Sequence, residues 1–454
     1  MRKTAERPAL LRRLGVGDAA LIVMGGIVGS GIFVTPSVVA RIVHTPLLIM
    51  LSWIAGGAVA IIGAGVFAEL AARRPHDGGV YAYLRDAYHP VVAFCYGWTL
   101  LLISQSGGAA ASAVTFAFYL PAIVGIGLGA AQATAVAIVV LAFFTIVNCL
   151  GVRESTSAQN GFMIAKIVAI LAVIATGLFA LGRIATHPAM AAPPAGFNPL
   201  VAIGLSLVPI MFSYSGWQTS TFMAGEMRES NRSLPLGILV GVLGVIVLYL
   251  GMTAVCVFVL GPDRLAATNT PASDIVRVVA GPLGAKIMAT IVALSTLGFI
   301  ANQILTSPRV YFQMAADGTF FKQLAWISPR THVPIVAIVV QGAAAILIAL
   351  SGQYLLILNW VTSIDYIFFG FAALAIFIFR QRDRTAGAPE PWFRMPLHPW
   401  STLLFLIVAW GIVGDVLVKS PTDTFLGIAV LITGIPVWYL FDRMRRWSND
   451  RSSA

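Results

Sequence analysis

Charge is scarce in this chain: only 10% of its 454 residues are Asp, Glu, Lys or Arg, against 58% hydrophobic residues and a mean hydropathy of +0.88. That shortage excludes a soluble globule of this length and marks an integral membrane protein. Cysteine is scarce too. Cys95, Cys149 and Cys256 fall in or at the ends of apolar runs without paired spacing, so neither a disulfide framework nor a thiolate metal site is expected. The histidines, His44, His76, His89, His187, His332 and His398, sit in loops or at run ends with no i, i+4 pairing; no metal site and no cofactor is expected. With no His–carboxylate pair inside the runs and no sizeable extramembrane segment, an enzyme is not expected either. The first run follows a basic lead and lacks a small-residue cleavage pattern, so it reads as a retained span.

What the chain does have is a succession of apolar runs, about twelve, each near the roughly 20 residues that a bilayer core requires. The expected fold class is therefore an all-α integral membrane protein of about twelve transmembrane helices. The basic residues support one orientation. Arg2 to Arg13, Arg73, Arg74, Arg85, Arg153, Arg228, Arg232, Arg309, Lys322, Arg330, Arg380 to Arg394 and Arg443 to Arg451 fall on one side. Only Arg41, Arg183, Arg264, Arg277, Lys286 and Lys419 fall on the other. Lys and Arg gather in cytoplasmic loops, so both termini are placed in the cytoplasm. The net charge of +11 follows from topology and contact with anionic lipid headgroups, and needs no nucleic-acid partner.

Two runs are interrupted. From Gly25 to Phe33 the first reads Gly-Gly-Ile-Val-Gly-Ser-Gly-Ile-Phe, and from Phe212 to Trp217 the sixth reads Phe-Ser-Tyr-Ser-Gly-Trp. Free backbone groups at membrane depth are tolerated only where protein or a ligand meets them. Small-residue helix packing explains one such cluster as well as a break does. Two clusters five spans apart point instead to an inverted repeat of two five-span units, each opening with a discontinuous helix. The units are residues 14–181 and 197–380, followed by peripheral spans over 400–442, with tails at 1–13 and 443–454. Facing half-helix ends offer N–H groups with partial positive charge and carbonyls with partial negative charge, a match for an amino acid zwitterion. Its carboxylate is expected at Gly29, Ser30 and Gly31, and its ammonium near Ile27 and near Phe212 or Ser213. Neither broken segment holds a charged residue, which favours a neutral amino acid.

These two segments, with Ala-Gly-Glu-Met-Arg-Glu-Ser-Asn-Arg-Ser-Leu-Pro after the second and Asn-Gln-Ile-Leu-Thr-Ser-Pro-Arg-Val in the eighth run, resemble the amino acid-polyamine-organocation superfamily and its L-type amino acid transporter branch. The resemblance covers nearly the whole chain. It implies a LeuT-like fold with discontinuous helices 1 and 6 in a multi-pass plasma (bacterial inner) membrane protein. It also implies alternating access and sodium-independent exchange of amino acids. The substrate contacts it implies are Ile27, Gly29, Ser30, Gly31, Phe212, Ser213, Ser215 and Gly216, with Phe212 closing over substrate and Trp217 beside the site. Lys166 in Ala-Lys-Ile is implied to fill the volume a sodium ion takes in relatives, donating to carbonyls near Gly25 or Gly26 and to a hydroxyl such as Ser295. A snorkelling interfacial lysine is the alternative, since Lys166 is expected one and a half turns into span five. Asp365, beside Tyr366, is placed near the cavity; it keeps a cationic amino acid or polyamine substrate, or proton coupling, open. Glu69, Glu226 and Asp18 are expected to pair with gate arginines such as Arg74 or Arg309, while Asn302 and Gln105 either line the cavity or join helices. The stretch from Arg73 to His89 is expected to form a short amphipathic helix. Members with a disulfide-linked heavy subunit carry a cysteine between spans three and four; Pro121 to Ala130 has none, so no such partner is expected. A non-transporting receptor is the remaining class, distinguished by flux.

Overall fold

The computed structural model describes residues 10–29, 31–181, 196–281, 283–352 and 354–452. Among them are ten helices long and apolar enough to cross a membrane and two shorter apolar helices, Val16–Ile27 and Ile335–Ser351. Regular structure among the described residues is helical apart from one isolated parallel bridge between Leu14 and Met227.

Both interrupted runs are broken helices. In the first, the helix Val16–Ile27 stops at Val28, whose backbone is extended. A short 3-10 turn occupies Gly31–Phe33, and a second helix runs over Thr35–Val43 with Pro36 in its first turn, where a missing N–H costs nothing. In the sixth, the Asn198 side chain caps the helix Pro199–Tyr214 by accepting from the N–H groups of Leu200 and Val201. The chain turns at Ser215 and Gly216 and continues as a 3-10 run, Trp217–Glu226.

Packing joins each of the first four spans to the one five places later. The second, Pro46–Arg73, lies on the seventh, Ser230–Ala267; the third, Gln105–Val124 in its longer part, lies on the eighth, Leu283–Thr306; the fourth, Ala130–Leu150, lies on the ninth, Ile335–Ser351. The first half-helix packs on the seventh span just as the sixth-span helix packs on the second, the reciprocal pairing that two interlocked, inverted units produce. The eleventh helix, Trp400–Lys419, leans on the tenth, Tyr354–Thr385, and the twelfth, Pro421–Ser452, leans on the start of the third and on the tenth.

Two details depart from the sequence reading. The fifth helix begins at Val152, so Lys166 lies roughly four turns in, at 2% exposure, and not at an interface. The polar stretch before it continues the helix because it finds partners on the first span: Gln159 Nε2 donates to Leu21 O at 3.0 Å and Asn160 Nδ2 to Asp18 Oδ1 at 2.8 Å. The third span contains a π-helical turn at Leu100–Ser104. The short helix expected between Arg73 and His89 is present as Val80–Ala87, with Tyr81, Tyr83 and Leu84 buried against the bundle and Arg85 and Asp86 partly exposed.

Candidate functional site

The two breaks cross backbone to backbone. Gly216 has φ +131, and a Cβ there would stand 2.3 Å from Gly26 O; a Cβ on Gly26 would meet Gly216 O at 2.9 Å and Thr219 Oγ1 at 2.6 Å. Glycine at both positions is thus a packing requirement as well as a conformational one. Gly25 faces away from this crossing: its Cβ would fall 2.3 Å from Gln159 Nε2, so its role is to let the fifth span approach.

Around the crossing lies a cavity of about 190 Å³, the volume of about six waters, small for a peptide or nucleotide and of amino acid scale. The first span contributes Gly26, Ile27, Gly29 and Gly31 to its wall and the sixth contributes Phe212, Ser213, Ser215 and Gly216. Ser30 lies outside the described residues. Gly29 N–H is engaged by Ile27 O at 2.9 Å, which leaves the N–H groups at the head of the Gly31–Phe33 turn as the donors without helical partners. Tyr249 on the seventh span reaches both breaks, its hydroxyl donating to Ile27 O and Ser213 O at 3.3 Å each. A phenol inside the apolar run Val-Leu-Tyr-Leu was the available signal for this residue. Phe212 is 42% exposed and also borders a second, shallower recess with Asp415 and Lys419. Trp217 does not border the cavity; it is fully buried against Phe67, Phe369 and Phe405. The turn at Gly216 directs it to the far side of the helix.

Behind the first break sits Lys166. Its ammonium donates to Val28 O at 2.6 Å, beyond Gly25 and Gly26, and Ser295 Oγ donates to Gly29 O at 3.1 Å. The lysine stem passes over Gly298, whose Cβ would lie 2.6 Å from its Cε. The fifth and eighth spans therefore hold successive carbonyls of the first break. Asn302 Nδ2 donates to Ile22 O at 2.8 Å, joining helices, whereas Gln105 borders the cavity and accepts from Ser307 Oγ at 2.8 Å.

The wall opposite the breaks belongs to the third, eighth and tenth spans. The π-helical turn ends at Ser104, whose hydroxyl donates to Asp365 Oδ1 at 2.7 Å, and π-turns of this kind frequently mark functional sites. Tyr366 OH donates to Met211 O at 2.9 Å and lies 2.9 Å from Ser215 Oγ, so the tenth span is tied to the second break one residue from Asp365.

Toward the face that carries Leu14, Met227 and Asp383, here the basic face, the cavity is sealed. Arg309 Nε bonds Glu226 Oε1 at 2.9 Å with both side chains buried. Glu69 accepts from Arg73 and Arg380, at 2.7 Å each, and from Met395 N–H at 2.7 Å; the expected partner Arg74 instead meets Asp383. Among the described residues Asp18 meets no arginine; it accepts from Gly15 N–H at 2.9 Å in the first turn of its helix, where the dipole favours a carboxylate. Burial pushes the Asp77 carboxyl above the ordinary aspartate range, against the opposing pull of Gly225 N–H, Arg12, His76 and Arg309.

The chain is similar to known proteins along almost all of its length. A family model described as amino acid permease matches residues 14–439. The human large neutral amino acids transporter small subunit 2 is 27% identical over 438 residues, 95% of this chain and 81% of that protein. The human Asc-type amino acid transporter 1 is 27% identical, covering 96% and 83%. The mouse b(0,+)-type amino acid transporter 1 is 27% identical, covering 95% and 88%.

Proposed function

The chain belongs to the amino acid permease family, and from that premise we propose that it carries neutral L-amino acids across the plasma membrane by alternating access, as a sodium-independent exchanger. The observation that carries this reading is the meeting of two half-helix ends, without a charged side chain in either, around one cavity of amino acid size. The substrate carboxylate lies against the N–H groups at Gly31 and the Ser30 hydroxyl. The ammonium lies toward the carbonyls at Ile27 and Phe212, and Phe212, Ser213, Ser215 and Gly216 border the side chain. Ile27 O already accepts from Gly29 N–H and Tyr249. The Phe212 carbonyl, which receives only a 3.4 Å contact from Ser215 N, is the better acceptor.

Lys166 acts as a fixed replacement for sodium, with Ser295 completing the hold on the first break and Gly25 and Gly26 allowing the approach of the neighbouring helices. The repeats are residues 14–181 and 197–380, with 400–442 peripheral. The basic face is cytoplasmic, as are both termini, because Lys and Arg gather there. No cysteine falls between Pro121 and Ala130, so the chain works without a disulfide-linked heavy subunit.

Uptake of a radiolabelled neutral amino acid into sodium-free proteoliposomes, with and without amino acid inside, is the test. Uptake that depends on internal amino acid is the expected result. Uptake into empty vesicles that follows a pH gradient replaces exchange by proton coupling, and absence of flux removes the transport reading.

A further inference from the structure

The half of the first span toward the basic face, Val16–Ile27, is held by a chemistry of its own. Among the described residues, none of the ion pairs on that face includes a residue of this half-helix. Three amide side chains hold it instead. From the fifth span, Gln159 Nε2 donates to Leu21 O at 3.0 Å and Asn160 Nδ2 to Asp18 Oδ1 at 2.8 Å; from the eighth, Asn302 Nδ2 donates to Ile22 O at 2.8 Å. Gly25 makes the grip possible, since a Cβ there would stand 2.3 Å from Gln159 Nε2 and 3.1 Å from Asn302 Nδ2. Leu21 O and Ile22 O lie inside a helix that offers them its own N–H groups, so neither carbonyl needs an amide to be satisfied. Each amide, moreover, leaves its own buried oxygen without a hydrogen-bond partner. Amides that serve packing alone pair both ends as a rule. Unpaired buried oxygens oppose the closure, and water reaching them on opening removes that cost, so this grip is one that can be released.

The gripped carbonyls stand roughly one and a half turns from Ile27 on the cavity wall, so one half-helix joins the cavity to the grip. We propose that Gln159, Asn160 and Asn302 are positioning residues that latch this half-helix shut in the empty protein, and so set the balance between the state open to the basic face and the state open to the opposite one. This rests on the alternating-access reading of the cavity. Substrate bound at one end of the half-helix must offset the release of the amides at the other. While the latch holds, only a minor fraction of the empty protein is open to the basic face, and half-saturation from that face demands correspondingly more amino acid. Loss of the latch enlarges that fraction, so the half-saturating concentration on the basic face falls relative to that on the opposite face.

The test measures half-saturation by one labelled neutral amino acid at each face, using the full-length protein in right-side-out and inside-out membrane vesicles, and reads the ratio of the basic-face value to the opposite-face value. Gln159→Met with Asn302→Leu keeps the side-chain bulk and removes both donors; the ratio is expected to fall at least about tenfold. Asn160→Asp, which keeps the shape but sets a second carboxylate against Asp18, is expected to lower the ratio as well. Adding Asp18→Asn to it places a donor opposite that carboxylate and is expected to restore the wild-type ratio, a rescue that a packing role does not produce. If the amides serve only packing, the maximal rate drops alike at both faces and the ratio holds, which overturns the proposal. A ratio that stays low when Asp18→Asn is added to Asn160→Asp overturns it too. Should the Gln159→Met, Asn302→Leu protein fail to fold, the Asn160→Asp series decides by the same criterion. Wild-type vesicles without saturable flux at either face defeat the underlying transport reading instead, and the latch falls with it.

Discussion

The two ends of the cavity are closed by different chemistry. Toward the basic face stand ion pairs, buried between Glu226 and Arg309 and between Glu69 and Arg73, and half-buried where Arg380 meets Glu69 and where Asp383 meets Arg73 and Arg74. Toward the opposite face, the halves of the first and sixth spans meet through a hydroxyl contact, Thr35 Oγ1 to Ser213 Oγ at 2.7 Å, and through Phe212, which is 42% exposed. An intact buried pair adds little net stability, yet separating it strands a charge. A neutral hydrogen bond contributes about 1 kcal/mol. The basic side is thus a gate that opens only if each charge finds a new partner or water, and the other side opens against a small barrier. The basic face carries the stronger closure in this structure, and substrate binding must favour the rearrangement that exchanges one closure for the other.

Arg309→Ala breaks this comparison at its strongest point. It leaves Glu226 buried and unpaired, and a loss of about 3–5 kcal/mol is expected, read as a large drop in thermal stability of the purified protein in detergent. Arg309→Ala with Glu226→Gln should recover much of it, because the stranded charge is gone. A loss under about 1 kcal/mol from the single variant removes the distinction between the two ends.

Lys166→Ala probes a point between the gates. Val28 O loses its donor and the fifth span loses its hold on the first break; exchange is expected to fall at least about tenfold, equivalent to about 1.4 kcal/mol, while expression is largely kept. Full exchange in that variant sinks the sodium-replacement role. Thr35→Val sharpens the comparison from the weak side. It removes one neutral hydrogen bond, so a change of about 1 kcal/mol is expected, seen as less than a tenfold shift in apparent KM.

Much of this arrangement is legible in the residues, for reasons that differ from part to part. The spans are legible because burying about 20 apolar residues per helix leaves an unmistakable composition, and the breaks because two small-residue clusters fall five spans apart; glycine density alone does not decide it, since Pro46–Arg73 carries Gly56, Gly57, Gly63 and Gly65 in one continuous helix. The depth of Lys166 is not legible: the polar stretch from Arg153 to Asn160 looks like a loop until Gln159 and Asn160 are seen bonded to the first span. Trp217 follows Gly216 directly, yet the φ of +131 at that glycine carries it out of the cavity. The π-helical turn at Leu100–Ser104 leaves no trace in Leu-Leu-Leu-Ile-Ser, and without it the contact between Ser104 and Asp365 cannot be anticipated. Pairing within the basic gate is legible in part: Arg73 stands four residues from Glu69 on one helix, a spacing that brings them together, whereas Arg380 at Glu69 and Asp383 at Arg74 come from the tenth span and are set by helix rotation.

A pH-dependent effect concerns a charge that weakens the strong gate. Asp77 lies in the basic-face loop against Gly225, and burial raises its carboxyl above the ordinary value of 3.8. The folded chain therefore holds the proton more tightly than the unfolded one. Stability from this group is greatest below the unfolded value and is lost as pH rises through the raised folded value. Each unit of elevation corresponds to about 1.4 kcal/mol. Asp77→Asn has no such dependence, so its melting temperature relative to wild type should climb from near pH 4 upward and then level off, since above the raised value the penalty is constant. Comparing the variant with wild type at each pH cancels the titration of Glu69 and Asp383, which both share. If wild type instead gains stability over the variant as pH rises, the Asp77 carboxylate belongs with the stabilising ion pairs of the gate, and the basic face is held by one more charge than the buried pairs alone provide.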